Sequence, residues 1–196
     1  MKTVRLAALA LCAAATVLPA AAGTVPFTID FEKGFGFGDD VNAAYAGTPF
    51  GFQNVFGYAT SLLPISSAPA SIGQGVAAVF LNPDEAGASA WLNVAGGLST
   101  PLSFDYASTT GGWIKAYDQN DQLLGTLEVA ANNADGDYSH WNTATLNFSG
   151  VAYKFDLSGL NGAGIDNISS VPEPSSALLV LASGLALVGA GRRRRG

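Results

Sequence analysis

Trp113-Ile114-Lys115-Ala116-Tyr117-Asp118-Gln119-Asn120-Asp121-Gln122-Leu123-Leu124-Gly125-Thr126-Leu127-Glu128-Val129-Ala130 reads as two strands joined by a polar turn. Four consecutive turn-forming residues, 118–121, separate two apolar-rich runs, which is the signature of a β-hairpin. The same punctuation extends in both directions. Upstream, residues 76–81, 88–94 and 102–106 are strand-like runs divided by Gly, Pro, Asn and Asp. Downstream, residues 141–148 and 151–157 are hinged at Ser149-Gly150, and residues 165–169 close the series. Alternation in 151–157 predicts Val151, Tyr153, Phe155 and Leu157 on one face, with Ala152, Lys154 and Asp156 on the other. Residues 24–31 open the series in the same way, with Phe27, Ile29 and Phe31 set against Thr28, Asp30 and Glu32. Residues 33–71, rich in Gly, aromatics, Ala and Pro, predict a long ordered loop with one or two short strands, its aromatics joining the core. No stretch within 23–170 has helical periodicity. About eight or nine strands with turns every 8–12 residues predict an all-β, antiparallel, jelly-roll-like β-sandwich.

Both ends of the chain have a different character. Residues 1–22 read as a secretory signal peptide: Lys2 and Arg5, an apolar run over 6–18, then Ala20-Ala21-Ala22 for cleavage by signal peptidase after passage through the translocon. Cys12 lies too early, behind Leu11, for lipidation. At the other end, Val171-Pro172-Glu173-Pro174 leads into an uncharged run, 177–191, followed by Arg192, Arg193, Arg194 and Arg195. Fifteen helical residues at ~1.5 Å each reach roughly 22 Å, short of a hydrocarbon core of about 30 Å. The arginines would stay cytoplasmic and place everything upstream outside. Pro172 and Pro174 stop the helix from running back into the domain. A short transmembrane helix beside a stiff exposed peptide suits brief anchoring followed by cleavage. A permanent single-span tail anchor is the alternative reading. Four consecutive arginines argue against a core helix.

The order, spacing and position of these three parts resemble the PEP-CTERM sorting signal of exported bacterial proteins. The resemblance implies a host with a two-membrane envelope and an exosortase-type membrane enzyme acting at or near the Pro-Glu-Pro. It also implies transient inner-membrane anchoring, then a cell-surface or extracellular-matrix setting among exopolysaccharide and biofilm. The expected organisation is signal peptide 1–22, β-sandwich 23–170 and sorting signal 171–196.

Between the signals lie three lysines (Lys33, Lys115, Lys154) and fourteen Asp and Glu, a net charge of −11 against −6 for the whole chain. Such a surface repels nucleic acid and anionic membranes and attracts divalent cations, besides keeping the domain soluble. The segment has no cysteine and a single histidine, His140, so disulfides, a cysteine nucleophile and a multi-histidine zinc site are excluded for one chain.

Two groups of residues could carry chemistry. If the first and last strands lie side by side, Asp30 and Glu32 meet Asp166 and Asn167, an oxygen-rich set suited to Ca²⁺. The alternative is an exposed acidic strand face, with Asp166-Asn167 holding a turn through backbone hydrogen bonds. The second group is the loop containing Asn133, Asp135, Asp137, Tyr138, His140 and Trp141. Rings beside amides and carboxylates suit sugars, which stack on aromatic faces while their hydroxyls seek polar partners. A solvated hairpin loop whose Trp141 fills the core is the competing reading.

Residues 29–32, 73–77, 117–125 and 165–168 resemble the β-sandwich domain often found ahead of PEP-CTERM tails. More remotely, the acidic first strand and Asp-Asn last strand are similar to calcium-binding jelly-roll carbohydrate-binding modules. No Gly-x-Ser-x-Gly elbow is present. A carboxylate pair for glycoside hydrolysis would leave no sequence trace. The resulting expectation is a non-enzymatic exported surface or matrix protein. Its rivals are a calcium-dependent carbohydrate-binding module and a secreted polysaccharide hydrolase.

Overall fold

A computed structural model describes residues 26–63, 70–133 and 138–170. The expected signal peptide, the sorting signal with its apolar helix and arginines, and Asp135 and Asp137 lie outside the described residues. In chain order the strands are β1 (Thr28–Ile29), β2 (Phe37–Asp40), β3 (Phe50–Gln53), β4 (Val55–Ala59), β5 (Gly75–Val79) and β6 (Trp91–Leu98). They continue as β7 (Leu102–Ala107), β8 (Gly112–Tyr117), β9 (Leu123–Val129), β10 (Asn142–Leu146), β11 (Ala152–Asp156) and β12 (Gly164–Ser170). One short helix, α1 (Val41–Ala44), and three 3-10 turns complete the described elements.

Two antiparallel sheets share one core. The larger runs β10-β7-β12-β5-β4-β2, with β1 also paired to β12; the smaller runs β3-β6-β11-β8-β9. Phe104, Leu146 and Ile165 from the first sheet and Leu92, Ile114 and Phe155 from the second fill the space between them. At roughly 25 cal/mol per Å² of apolar area, burial on this scale is the main stabilising term for a domain without cysteines. The hairpin β8–β9 turns as its sequence predicts: the Asp118 carboxylate accepts from the N–H groups of Asn120 (2.8 Å) and Gln122 (2.9 Å). Asp121 adopts a φ of 58°.

The nine expected strands are all present, and the sandwich is as predicted. The count of eight or nine is corrected to twelve among the described residues. The difference lies in residues 33–71, where β2, β3 and β4 replace most of the expected loop. These strands are only four or five residues long and carry glycines, so no period had room to show. Asn54, at φ 53°, separates β3 in one sheet from β4 in the other, and its side-chain amide donates to the Ser89 carbonyl (2.9 Å). The aromatics here do enter the core: Phe31, Tyr45 and Phe52 form a mutual cluster with centroids 5.4–6.1 Å apart.

The facing of β11 is also corrected. Ala152 is buried along with Phe155 and Leu157, whereas Val151 and Tyr153 are only partly buried. The register against β6 shifts between Ala152 and Lys154. A bulge there sets two residues opposite one and breaks strict alternation.

Candidate functional site

The first and last strands do lie side by side, pairing Thr28 with Ser169 and Ile29 with Ile168. This gathers Asp30, Glu32, Asp166 and Asn167 as expected, and adds Asp105, the cross-strand partner of Asp166. Each side chain then has a local task. Glu32 Oε1 accepts from the N–H groups of Gln74 (2.9 Å) and Gly75 (3.1 Å). Asp30 accepts from Glu32 N–H (3.2 Å). Asn167, at φ 50°, donates its amide to the Ser71 carbonyl (2.9 Å) and to Asp105 (3.0 Å).

Asp166 is the unusual member. It is 1 % exposed, and its Oδ1 accepts from Asn167 N–H at 2.8 Å. Burial pushes its carboxyl up to about 8; the Asn167 N–H pulls the other way, and the charges of Glu32, Asp105 and Asp30 add to the rise. Tyr45 is pushed up to about 12 by burial foremost, opposed by the Phe31 backbone and helped by Asp30, Asp166 and Glu32. Several of the oxygens that calcium would need already accept backbone or amide hydrogen bonds. Among the described residues no three acidic or histidine side chains come together in a way that could hold a metal ion.

The loop behaves differently from the cluster. Asn133 is buried and bonded to His140: its amide donates to the His140 carbonyl (2.8 Å), and its oxygen accepts from His140 N–H (2.9 Å). His140 itself is exposed. Tyr138, at φ 48°, donates its hydroxyl to the Gly162 carbonyl (2.6 Å), and Trp141 Nε1 donates to the Tyr138 carbonyl (2.7 Å). The indole rests on Gly164, where an added Cβ would come within 2.9 Å of the ring.

Tyr138 and Trp141 thereby form one wall of a cleft of about 260 Å³ on the larger sheet. Phe37 of β2, Tyr58 of β4 and Phe80 after β5 line the rest, with Ala78, Val79, Leu63 and the two glycines 162 and 164. Phe37 meets Tyr58 edge-on at 5.1 Å, and Phe37 and Phe80 are largely exposed. Burial, followed by the nearby Tyr138, raises the Tyr58 phenol above its ordinary value. Two phenols and an indole at an open apolar mouth can stack a flat apolar face and offer hydroxyls to its rim. Of the six loop candidates, Tyr138 and Trp141 reach this cleft, while Asn133 and His140 do not line it. Phe37, Tyr58 and Phe80 were missed by the sequence reading. The available signal was Val55-Phe56-Gly57-Tyr58, where rings occupy the outward positions and smaller residues the inward ones.

Comparison with curated proteins finds no match. Among solved structures, a family 29 carbohydrate binding module aligns with a TM-score of 0.41 at 13 % identity, covering 75 % of this chain and 91 % of that one. The C-terminal family 6 module of LamC, a marine laminarinase from Zobellia galactanivorans, gives 0.35 at 18 % identity over 59 % and 98 %. A carbohydrate binding module from Cellvibrio mixtus lichenase 5A, in complex with cellotriose, gives 0.40 at 13 % identity over 73 % and 94 %. Likeness at these values carries no argument about a ligand. Residues 170–195 match the PEP-CTERM protein-sorting motif, and the chain is accordingly an exported protein sorted by way of the membrane.

Proposed function

We propose that the mature β-sandwich is a non-enzymatic glycan-binding module of the cell surface or extracellular matrix. The observation that carries this reading is the cleft of Phe37, Tyr58, Phe80, Tyr138 and Trp141, which is aromatic and open. A sugar ring would lie its C–H face against Tyr58 or Trp141 and hydrogen-bond to the Tyr58 hydroxyl. Processing by an exosortase-type enzyme near Pro172-Glu173-Pro174, after transient inner-membrane anchoring, would release the domain into exopolysaccharide or biofilm.

A glycan array probed with the exported protein, followed by calorimetry on the best ligand, tests the proposal. Tyr58→Ala and Trp141→Ala are each expected to weaken binding by about 1–3 kcal/mol, the range for burying a large side chain. Retention of full affinity by both variants, or the absence of any bound glycan, would overturn it. Hydrolysis of a bound glycan would replace it with the hydrolase reading.

A further inference from the structure

The cleft on the larger sheet is poor in free hydrogen-bonding groups, which narrows what it can hold. Tyr138 Oη gives its proton to the Gly162 carbonyl at 2.6 Å, and Trp141 Nε1 gives its own to the Tyr138 carbonyl at 2.7 Å. The backbone behind them is equally committed. Gly162 N–H donates to the Val79 carbonyl (2.9 Å), Val79 N–H donates to the Ala163 carbonyl (3.2 Å), and Gly164 pairs with Ala78 across β12 and β5. No charged side chain lines the cleft among the described residues. The Tyr58 hydroxyl is the exception. It donates to no group among the described residues, and Gly38 leaves the approach to it open, since even an added Cβ there would stand 3.8 Å away.

One free O–H above an apolar floor is a selective combination. The floor is Ala78 and Gly164, adjacent across the two strands, with the Trp141 indole against Gly164. A bare sugar ring carries several hydroxyls, and each brings a proton that needs an acceptor. The Gly162 and Val79 carbonyls already accept, so hydroxyls pressed into this cleft would exchange water for few partners. An acetyl group has the opposite balance. It offers one methyl to the floor and one carbonyl oxygen to Tyr58, and as an ester it has no proton to satisfy.

We propose, on the glycan-binding reading of the cleft, that its occupant is the acetyl group of an acetylated neutral polysaccharide. The methyl sits against Ala78, Gly164 and the Trp141 indole, and the acetyl carbonyl accepts from the Tyr58 hydroxyl. The sugar that bears it stays at the mouth, where Phe37 and Phe80 are exposed and its hydroxyls keep their water. An O-acetyl ester and an N-acetyl amide share this chemistry, the amide N–H remaining at the wet rim.

Two matched pairs of probes test the assignment by calorimetry. Acetylated glucomannan and the same polymer after alkaline deacetylation differ in O-acetyl esters; chitohexaose and cellohexaose differ in the N-acetyl group. The exported protein is expected to bind the acetylated member at least about tenfold more tightly in one pair or both, and the pair that shows it identifies ester or amide. Tyr58→Phe keeps the ring and removes the donor, so it should lose most of that preference while melting as the wild type does. Lys115→Gln is the control: Lys115 and Lys154 each lie 4.0 Å over an indole on the smaller sheet, away from the cleft, and its binding should be unchanged. Equal affinity within both pairs, a full preference kept by Tyr58→Phe, weakened binding by Lys115→Gln, or no binding to any of the four probes would each overturn the assignment. Equal affinity that Trp141→Ala still weakens would leave the cleft a glycan site without acetyl selectivity, whereas silence across the whole glycan array would overturn the wider reading too.

Discussion

Asp166 shows how a single residue can be placed by sequence yet given its character by the fold. Its nearness to Asp30 and Glu32 followed from pairing the chain ends, but its protonation did not. The carboxyl titrates near 3.8 when exposed and at about 8 in the fold, so the folded state holds a proton that the unfolded chain gives up. Its contribution is complete below the lower value, declines as pH rises, and is gone above about 8. Asp166→Asn keeps an acceptor for the Asn167 N–H and cannot ionise. Its melting temperature is expected to exceed that of wild type at about pH 9 and to vary less between about pH 5 and pH 9. A wild-type melting temperature that rises sharply with calcium and falls with chelator would instead show that a cation displaces the proton.

At the scale of elements, the loop between β9 and β10 is organised by a residue that was expected to touch ligand. Asn133 spends its side chain on the His140 backbone and on Asn132, and so ties the stretch after β9 to the residues beside Tyr138 and Trp141. Asn133→Ala would remove the side-chain hydrogen bonds of a buried asparagine to the His140 backbone and to Asn132, costing about 1–3 kcal/mol in denaturant unfolding. It should also weaken glycan binding at the cleft. The same scale explains the misread strands. β11 looked strictly alternating, and only its register against β6 reveals the bulge. β2, β3 and β4 are too short to carry a period, and their pairing partners define them.

For the whole molecule, charge and destination are linked. Eight of the chain's nine basic side chains fall either in the terminal segments (residues 2, 5 and 192–195) or on the outer face of the smaller sheet (Lys115 and Lys154). Intact-mass analysis of protein recovered from its native host is expected to show the loss of residues 1–22 and a second trimming near residues 171–174. Recovery of the full 196-residue mass would contradict processing at both ends.

The sequence alone determined the antiparallel sandwich, the order of nine strands, the acidic composition and the sorting motif. These properties are local: turn residues, alternation, charge and an uninterrupted apolar run are all written within a few consecutive positions. Only the tertiary structure decided that Phe37, Tyr58, Phe80, Tyr138 and Trp141 share a cleft, and that Lys115 and Lys154 lie over indoles on one face. Those sites are assembled from strands distant along the chain, and which side chains meet depends on register and a one-residue bulge that no local pattern encodes.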